Sequence, residues 1–272
     1  MTNSAIKELV LCERDERGIA RVTLNRPDKH NAFDDAMIAL LRSHFDALRE
    51  DESVRVVVLQ ASGKSFSAGG DLAWMQRMAD YDYGHNMDDA RALAEMLFAL
   101  KTLPQATIAR VQGYAFGGAV GLISCCDMAV AADNARFGLT EARIGLIPAT
   151  IGPHVIEAIG PRWARRLFLS AERFDARRAE QIHLVHEVCA LEALDDRVES
   201  LIKELLANSP AALREAKVLV QDFSGRPVDE AVIADTSARI AHLRVSTEGQ
   251  EGLRAFLEKR TPAWTRGNTT DV

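Results

Sequence analysis

The stretches FSAGGD, at residues 66–71, and GYAFGGAVG, at residues 113–121, decide the fold of this chain. Each follows an apolar run typical of a strand and opens a run with helical spacing. Because the first amides of a helix have no partner inside it, a glycine turn at this point can direct backbone N–H groups at one negatively charged oxygen. The two stretches together therefore predict an oxyanion hole.

Strand and helix patterns alternate around these two stretches. Strands are predicted over residues 9–11, 19–24, 54–59, 106–111 and 128–132. Helices are predicted from the cap Asp34 to Leu48, over residues 88–103 and over residues 119–126. This order is typical of an α/β fold with largely parallel strands, whose functional loops lie at the carboxyl ends of the strands. Both glycine stretches lie at such ends.

From residue 194 onward the sequence has helical patterns only. They cover residues 194–208, 211–222, 229–244 and 248–259. We therefore divide the chain into an α/β core, residues 1–193, which carries the predicted site, and a helical C-terminal subdomain, residues 194–272. Because small helical extensions often keep an exposed apolar face, we expect this subdomain to mediate self-association.

Composition excludes several classes of function. The 272 residues are 47% apolar with a net charge of −6, and no block of Lys and Arg is interleaved with aromatic residues, so we expect no nucleic-acid partner. No apolar stretch reaches the about 18 residues of a membrane span, and residues 1–8 include no apolar leader, so we expect a cytoplasmic protein. The four cysteines lack metal-ligand spacing, which predicts reduced thiols and no metal site.

Four blocks in this order resemble the crotonase (enoyl-CoA hydratase/isomerase) superfamily over nearly the whole chain. They are residues 66–71, residues 113–127, ARFGLTEARIGLIP at residues 135–148 and EGLRAFLEKR at residues 251–260. The resemblance implies a crotonase-type spiral of repeated ββα units with a helical C-terminal subdomain. It also implies assembly into a homotrimer or a dimer of trimers.

The resemblance implies an acyl-CoA substrate whose thioester oxygen accepts hydrogen bonds from the backbone N–H groups of Gly70 and Gly118. Coenzyme A would enter as part of the substrate, and no other cofactor and no metal would be needed. Further substrate and CoA contacts are implied for Ala68 through its carbonyl, for Asp71, for Arg26 and Lys29 near the phosphates, and for Phe256 and Lys259 on a neighbouring subunit's CoA.

Glu141 matches the family's second catalytic glutamate, which exchanges a proton with the carbon skeleton of the substrate. Four apolar residues flank it in sequence and would raise its pKa: Phe137, Leu139, Ile144 and Leu146. Gly121 stands where two-glutamate hydratases carry their first carboxylate. Two reactions remain open: hydration of the Cα=Cβ bond of an enoyl-CoA, and Δ3,Δ2-enoyl-CoA isomerisation by the single Glu141.

Shorter segments are similar to bacterial methylglutaconyl-CoA and isohexenylglutaconyl-CoA hydratases, of leucine and acyclic terpene breakdown. They are DLAWM at residues 71–75, LISCCD at residues 122–127 and IPATI at residues 147–151. This similarity favours hydration and a substrate with a β-methyl group and a distal carboxylate. A non-catalytic scaffold, an RNA-binding protein and a serine hydrolase are weaker alternatives, since the chain is acidic and neither Ser67 nor Ser124 lies in a Gly-x-Ser-x-Gly elbow.

Overall fold

A computed structural model describes residues 9–265 of the chain. Residues 1–8, where the sequence predicts no leader, and residues 266–272, the end of the predicted helical subdomain, lie outside the described residues. The described strands are β1 (Val10–Arg14), β2 (Ile19–Leu24), β3 (Val56–Ala61), β4 (Ala106–Val111), β5 (Tyr114–Phe116), β6 (Met128–Ala132), β7 (Arg136–Gly138), β8 (Arg173–Asp175) and β9 (Glu187–Cys189). The described α-helices are α1 (Asp35–Arg49), α2 (Leu72–Asp80), α3 (Tyr83–Lys101), α4 (Gly118–Cys125), α5 (Gly152–Ser170), α6 (Ala176–Gln181), α7 (Leu194–Leu206), α8 (Pro210–Phe223), α9 (Glu230–Val245) and α10 (Thr247–Leu257).

The larger sheet has the strand order β1-β2-β3-β4-β6-β9. The first two strands form an antiparallel hairpin, and every later pairing in this sheet is parallel. A second sheet, in the order β5-β7-β8, adds one parallel and one antiparallel pairing. The predicted α/β class with largely parallel strands is confirmed.

Apolar residues cover both faces of the larger sheet, as a parallel sheet requires. One face packs with the buried stripe of α1, the end of α3 and the apolar α4 in the main hydrophobic core. On the other face, Val56, Val58 and Val130 pack against the buried stripe of α7 in a second apolar cluster. Helix α7 therefore packs as part of the α/β core, although the sequence assigns it to the helical C-terminal subdomain.

The helical pattern predicted for the last part of the chain is confirmed in α7 to α10. Helix α3 begins five residues earlier than predicted, because Asp82 caps it by accepting a hydrogen bond from the amide of His85 at 2.9 Å. Within residues 9–265, no helix is both long enough and apolar enough to span a membrane.

The two glycine stretches emerge on the same side of the sheet. The first follows β3 and the second follows β4, and these two strands are adjacent and parallel. Their carboxyl ends therefore lie at one edge of the sheet, which brings the two turns together.

Candidate active site

The turn at residues 66–71 leaves one amide without a partner. Its other amides are engaged: Ala68 donates to the carbonyl of His30 (2.9 Å), Gly69 to Ser67 Oγ (3.3 Å) and Asp71 to the carbonyl of Phe33 (2.7 Å). The amide of Gly70 makes no hydrogen bond to any residue in the described range, and Gly70 is exposed. This amide is therefore available to a ligand, as the sequence predicts.

The turn before α4 has a similar arrangement. Gly117 donates its amide hydrogen to the carbonyl of Gly138 at 2.9 Å and adopts φ +55° and ψ −118°, which side-chain-bearing residues rarely adopt. Gly118 follows as the first residue of α4, where helical amides have no partner within the helix. Between residues 9 and 265, nothing accepts a hydrogen bond from its amide.

Phe33 joins the two turns. Its backbone forms a parallel bridge with Gly70, and its ring lies 3.2 Å from the position that a Cβ atom would take on Gly118. A second bridge, between Ser67 and Ala115, connects the turns directly. The two free amides are therefore held in adjacent, mutually bonded segments of backbone, as an oxyanion hole requires.

Glu141 begins a short 3-10 helix (Glu141–Ile144) after β7, and its carboxyl group lies beside the second turn. Its Oε1 atom is 3.3 Å from the position that a Cβ atom would take on Gly117. Its Oε2 atom is buried and has no hydrogen-bond partner in the described part of the chain. Burial raises the pKa of this carboxyl group, the direction that the sequence predicts.

Only half of the predicted apolar flank of Glu141 is itself buried. Phe137 and Leu139 are buried, whereas Ile144 and Leu146 are 57% and 53% exposed.

Gly121 lies in the buried helix α4, and the space beside it is filled. A Cβ atom on Gly121 would lie only 2.8 Å from Cβ of Ile151 and 3.5 Å from Leu97 Cδ2. Both neighbours are buried core residues. The position of the absent carboxylate is therefore also closed to any larger side chain.

Arg26 and Asp71, for which the family resemblance implies contacts with CoA and the substrate, lie in the interior. The guanidinium of Arg26 contacts Asp34 at 2.9 Å and Asp71 at 3.1 Å, and its side chain is only 7% exposed. Asp71 also caps α2 and pairs with Lys29 at 3.0 Å. The geometry gives both residues internal partners, so it does not support direct contact with the phosphates or the substrate. We leave both out of the contacts proposed below.

Lys29 shares the contact with Asp71, but its side chain is 48% exposed at the edge of this cluster. The carbonyl of Ala68 accepts no hydrogen bond from the described residues, which leaves it available to a ligand. Phe256 lies on α10 with 82% of its surface exposed, and Lys259 follows shortly after the helix with φ +53°. Their contact with a neighbouring subunit's CoA stays a prediction.

Several residues near the site were not predicted from the sequence. Phe33 supports both turns, and Ile151 and Leu97 fill the space beside Gly121. Met75 and Trp74 pack against Gly70 at 3.4 and 3.7 Å from its Cβ position. The roles of Phe33, Ile151 and Leu97 depend on long-range contacts that no local pattern reveals.

The family described as enoyl-CoA hydratase/isomerase matches residues 14–267 of this chain. The 2,3-dehydroadipyl-CoA hydratase of Escherichia coli is 32% identical over 258 residues, which cover 94% of this chain and 98% of that protein. The trans-2-decenoyl-(acyl-carrier-protein) isomerase of Streptococcus mutans is 31% identical over 255 residues, which cover 92% and 95%. The crystal structure of an enoyl-CoA hydratase from Shewanella pealeana superposes with a TM-score of 0.91 at 42% identity, covering 97% of this chain and all of that one.

Proposed function

This chain belongs to the enoyl-CoA hydratase/isomerase family, and from that premise we propose that it adds water across the Cα=Cβ bond of an enoyl-CoA. The observation that carries the proposal is the pair of unbonded amides, at Gly70 and Gly118, with the carboxyl group of Glu141 beside the same turn. Two donors and one titratable group are the components that this reaction needs.

The two amides would bind the thioester oxygen. Hydrogen bonding at this oxygen withdraws electrons from the conjugated double bond and makes Cβ electrophilic. As negative charge grows on the oxygen during attack, both hydrogen bonds strengthen, so the transition state is stabilised more than the bound substrate. Removal of one such donor in comparable sites costs about 3–4 kcal/mol.

Glu141 would carry out both proton transfers. In its ionised form it accepts a proton from a water molecule as the water oxygen bonds to Cβ and the electron pair of the double bond moves toward the thioester. It then delivers the proton to Cα of the resulting enolate and returns to its ionised form. A raised pKa suits this exchange, since a stronger conjugate base accepts the proton more readily.

Isomerisation of a Δ3-enoyl-CoA is the second candidate, and the filled space at Gly121 favours it. With Ile151 in that space, no second carboxylate is available there to orient water. In the isomerisation Glu141 would remove a proton from Cα and return it to Cγ, and no water would enter. The name of the relative from Streptococcus mutans, an isomerase, also supports this alternative.

The substrate we propose is an enoyl-CoA of the methylglutaconyl type, formed in leucine degradation in the cytoplasm. The segments at residues 71–75, 122–127 and 147–151 support this choice by their similarity to such hydratases. The name of the relative from Escherichia coli, 2,3-dehydroadipyl-CoA hydratase, also fits an acyl group with a distal carboxylate.

Coenzyme A would be held outside the oxyanion hole by the Ala68 carbonyl at the adenine and by Lys29 at the phosphates. Phe256 and Lys259 would reach the CoA of a neighbouring copy in a homotrimer or a dimer of trimers. The exposed apolar residues of the last helices support such an assembly, among them Val220, Val245 and Leu257 at 68%, 76% and 76% exposure.

The proposal is tested by following the enoyl absorbance of purified protein with crotonyl-CoA, methylglutaconyl-CoA and a 3-enoyl-CoA. Loss of absorbance with a 2-enoyl substrate, abolished in Glu141→Gln, supports hydration. A rise in absorbance with the 3-enoyl substrate, and no change with the 2-enoyl substrates, would show that the reaction is isomerisation and not hydration. Absence of binding to any acyl-CoA in equilibrium dialysis would overturn both reactions.

A further inference from the structure

Two matched dipeptides lie side by side at the oxyanion turn. Phe33–Asp34 and Gly70–Asp71 are paired through backbone hydrogen bonds: the amide of Phe33 donates to the carbonyl of Gly69 at 2.8 Å, and the amide of Asp71 donates to the carbonyl of Phe33 at 2.7 Å. Each dipeptide ends in an aspartate that caps the helix behind it, Asp34 for α1 and Asp71 for α2. The two helices therefore start from one short piece of paired backbone.

One buried guanidinium bridges the two caps. Arg26 contacts Asp34 through Nη1 at 2.9 Å and Asp71 through Nη2 at 3.1 Å. All three side chains are more than nine-tenths buried, with exposures of 7%, 7% and 6%. Arg26 Nη1 also donates to the carbonyl of Ala32 at 3.3 Å. Arg26 Nη1 thus contacts the two residues that flank Phe33, Ala32 and Asp34.

We infer that Arg26 is a positioning residue for the oxyanion hole, which places the amides of Gly70 and Gly118 by holding the two helix caps together. The inference rests on the proposed function. Arg26 acts on Gly70 through Asp71, the next residue in the chain. It acts on Gly118 through Phe33, whose ring packs against that glycine.

The charges and the shape of the cluster require an arginine. Removing the guanidinium would leave two buried carboxylates with Lys29, which pairs with Asp71 only, as the one remaining cation of the cluster, so Asp34 would lose its charge partner. A lysine keeps the charge but has no planar fork that reaches two carboxylates in fixed directions. The inference differs from the phosphate contact that the family resemblance implies for Arg26, because a phosphate ligand acts on CoA binding and a positioning residue acts on turnover.

The test compares Arg26→Lys with the wild type on two thioesters of whichever enoyl group the wild type turns over, one of CoA and one of pantetheine, which lacks the nucleotide phosphates. We expect kcat to fall by roughly a hundredfold on both thioesters while KM changes little, as when a catalytic group is displaced by about 1 Å. Arg42→Lys is the matched control, since Arg42 forms an exposed ion pair with Asp46, and it should match the wild type.

A loss confined to the CoA thioester and expressed in KM would overturn the inference, because it would assign Arg26 to the phosphates. An unchanged kcat on both thioesters would overturn it as well. A wild type that turns over no enoyl thioester would instead reject the proposed function. The outcomes for the two proposals are therefore distinguishable.

A second variant covers the case in which Arg26→Lys does not fold. Asparagine is as good a helix cap as aspartate, so Asp34→Asn keeps the cap and removes only the charge that faces Arg26. We expect this variant to show the cooperative thermal unfolding of a folded protein and to lose roughly tenfold in kcat on both thioesters, against the control Asp46→Asn. A folded Asp34→Asn protein with wild-type kcat would overturn the inference.

Discussion

Ile151 occupies the space that a side chain on Gly121 would need, with its Cβ 2.8 Å from the position of a Cβ atom on that glycine. The missing carboxylate of the two-glutamate hydratases is therefore not a vacancy that water or a substrate group fills. Helix α4 packs directly on Ile151, the residue that precedes α5. In the proposed reaction, Glu141 therefore serves as the only carboxylate that transfers protons.

The first prediction concerns this contact. Gly121→Ala should destabilise the protein by about 1–3 kcal/mol, because a methyl group placed against Ile151 overpacks the core. In the double variant with Ile151→Ala, the new methyl group partly fills the space that the lost isoleucine leaves, so the two losses should not add. Urea unfolding of the wild type, both single variants and the double variant measures this coupling. Additive losses would show that the two positions do not touch.

The second prediction concerns Glu141 as the proton carrier. Glu141→Gln keeps the shape of the side chain and removes the titratable group, so kcat should fall by at least about a hundredfold while affinity for the CoA thioester stays the same. Steady-state kinetics with binding by isothermal calorimetry separates the two quantities. Glu157→Gln, in an exposed ion pair with Lys101, is a matched control that should retain full activity. Wild-type turnover in Glu141→Gln would remove this residue from the mechanism.

The third prediction is a pH dependence of stability at the same residue. Burial raises the pKa of Glu141 above its ordinary value of 4.5, so the folded state binds the proton more tightly than the unfolded state. The folded wild type should therefore lose stability as the pH rises from about 4.5 through the raised pKa, while Glu141→Gln has no such dependence. Denaturant unfolding of both proteins across this range should show that the free energy of unfolding of the variant increases relative to that of the wild type as the pH rises. A constant difference would mean that the pKa is not shifted by folding.

Much of the larger sheet could be predicted from the sequence, because its longer strands have clear local sequence patterns. The strands at residues 106–111 and 128–132 have the predicted bounds, since each is a mostly apolar run between turn signals. The strands β5, β7 and β8 were missed because each has only three residues, too few for an alternating pattern. Their pairing is set by tertiary contacts such as the bridge between Ser67 and Ala115.

The candidate site also contains residues that a local sequence block indicates and residues that only tertiary contacts position. Gly70, Gly118 and Glu141 could be selected as candidates because each belongs to a contiguous block that resembles the superfamily. The internal ion pairs of Arg26 could not be predicted, since the family resemblance implies only a place near the phosphates and no local pattern indicates its two carboxylate partners. Arg26 forms buried ion pairs with Asp34 and Asp71, and these three residues come together only in the folded structure.

The last prediction isolates the N–H group of Gly118. Proline is tolerated at the first residue of a helix, so Gly118→Pro should fold while lacking the amide hydrogen at this position. Gly118→Ala is the matched control, because it adds the same Cβ atom next to Phe33 but keeps the N–H group. The proline variant should lose a further hundredfold or more in kcat relative to the alanine variant, about 3 kcal/mol of transition-state stabilisation. Equal rates in two variants with similar thermal unfolding would show that this amide does not bind the thioester oxygen, and the oxyanion hole would then have to be sought elsewhere in the site.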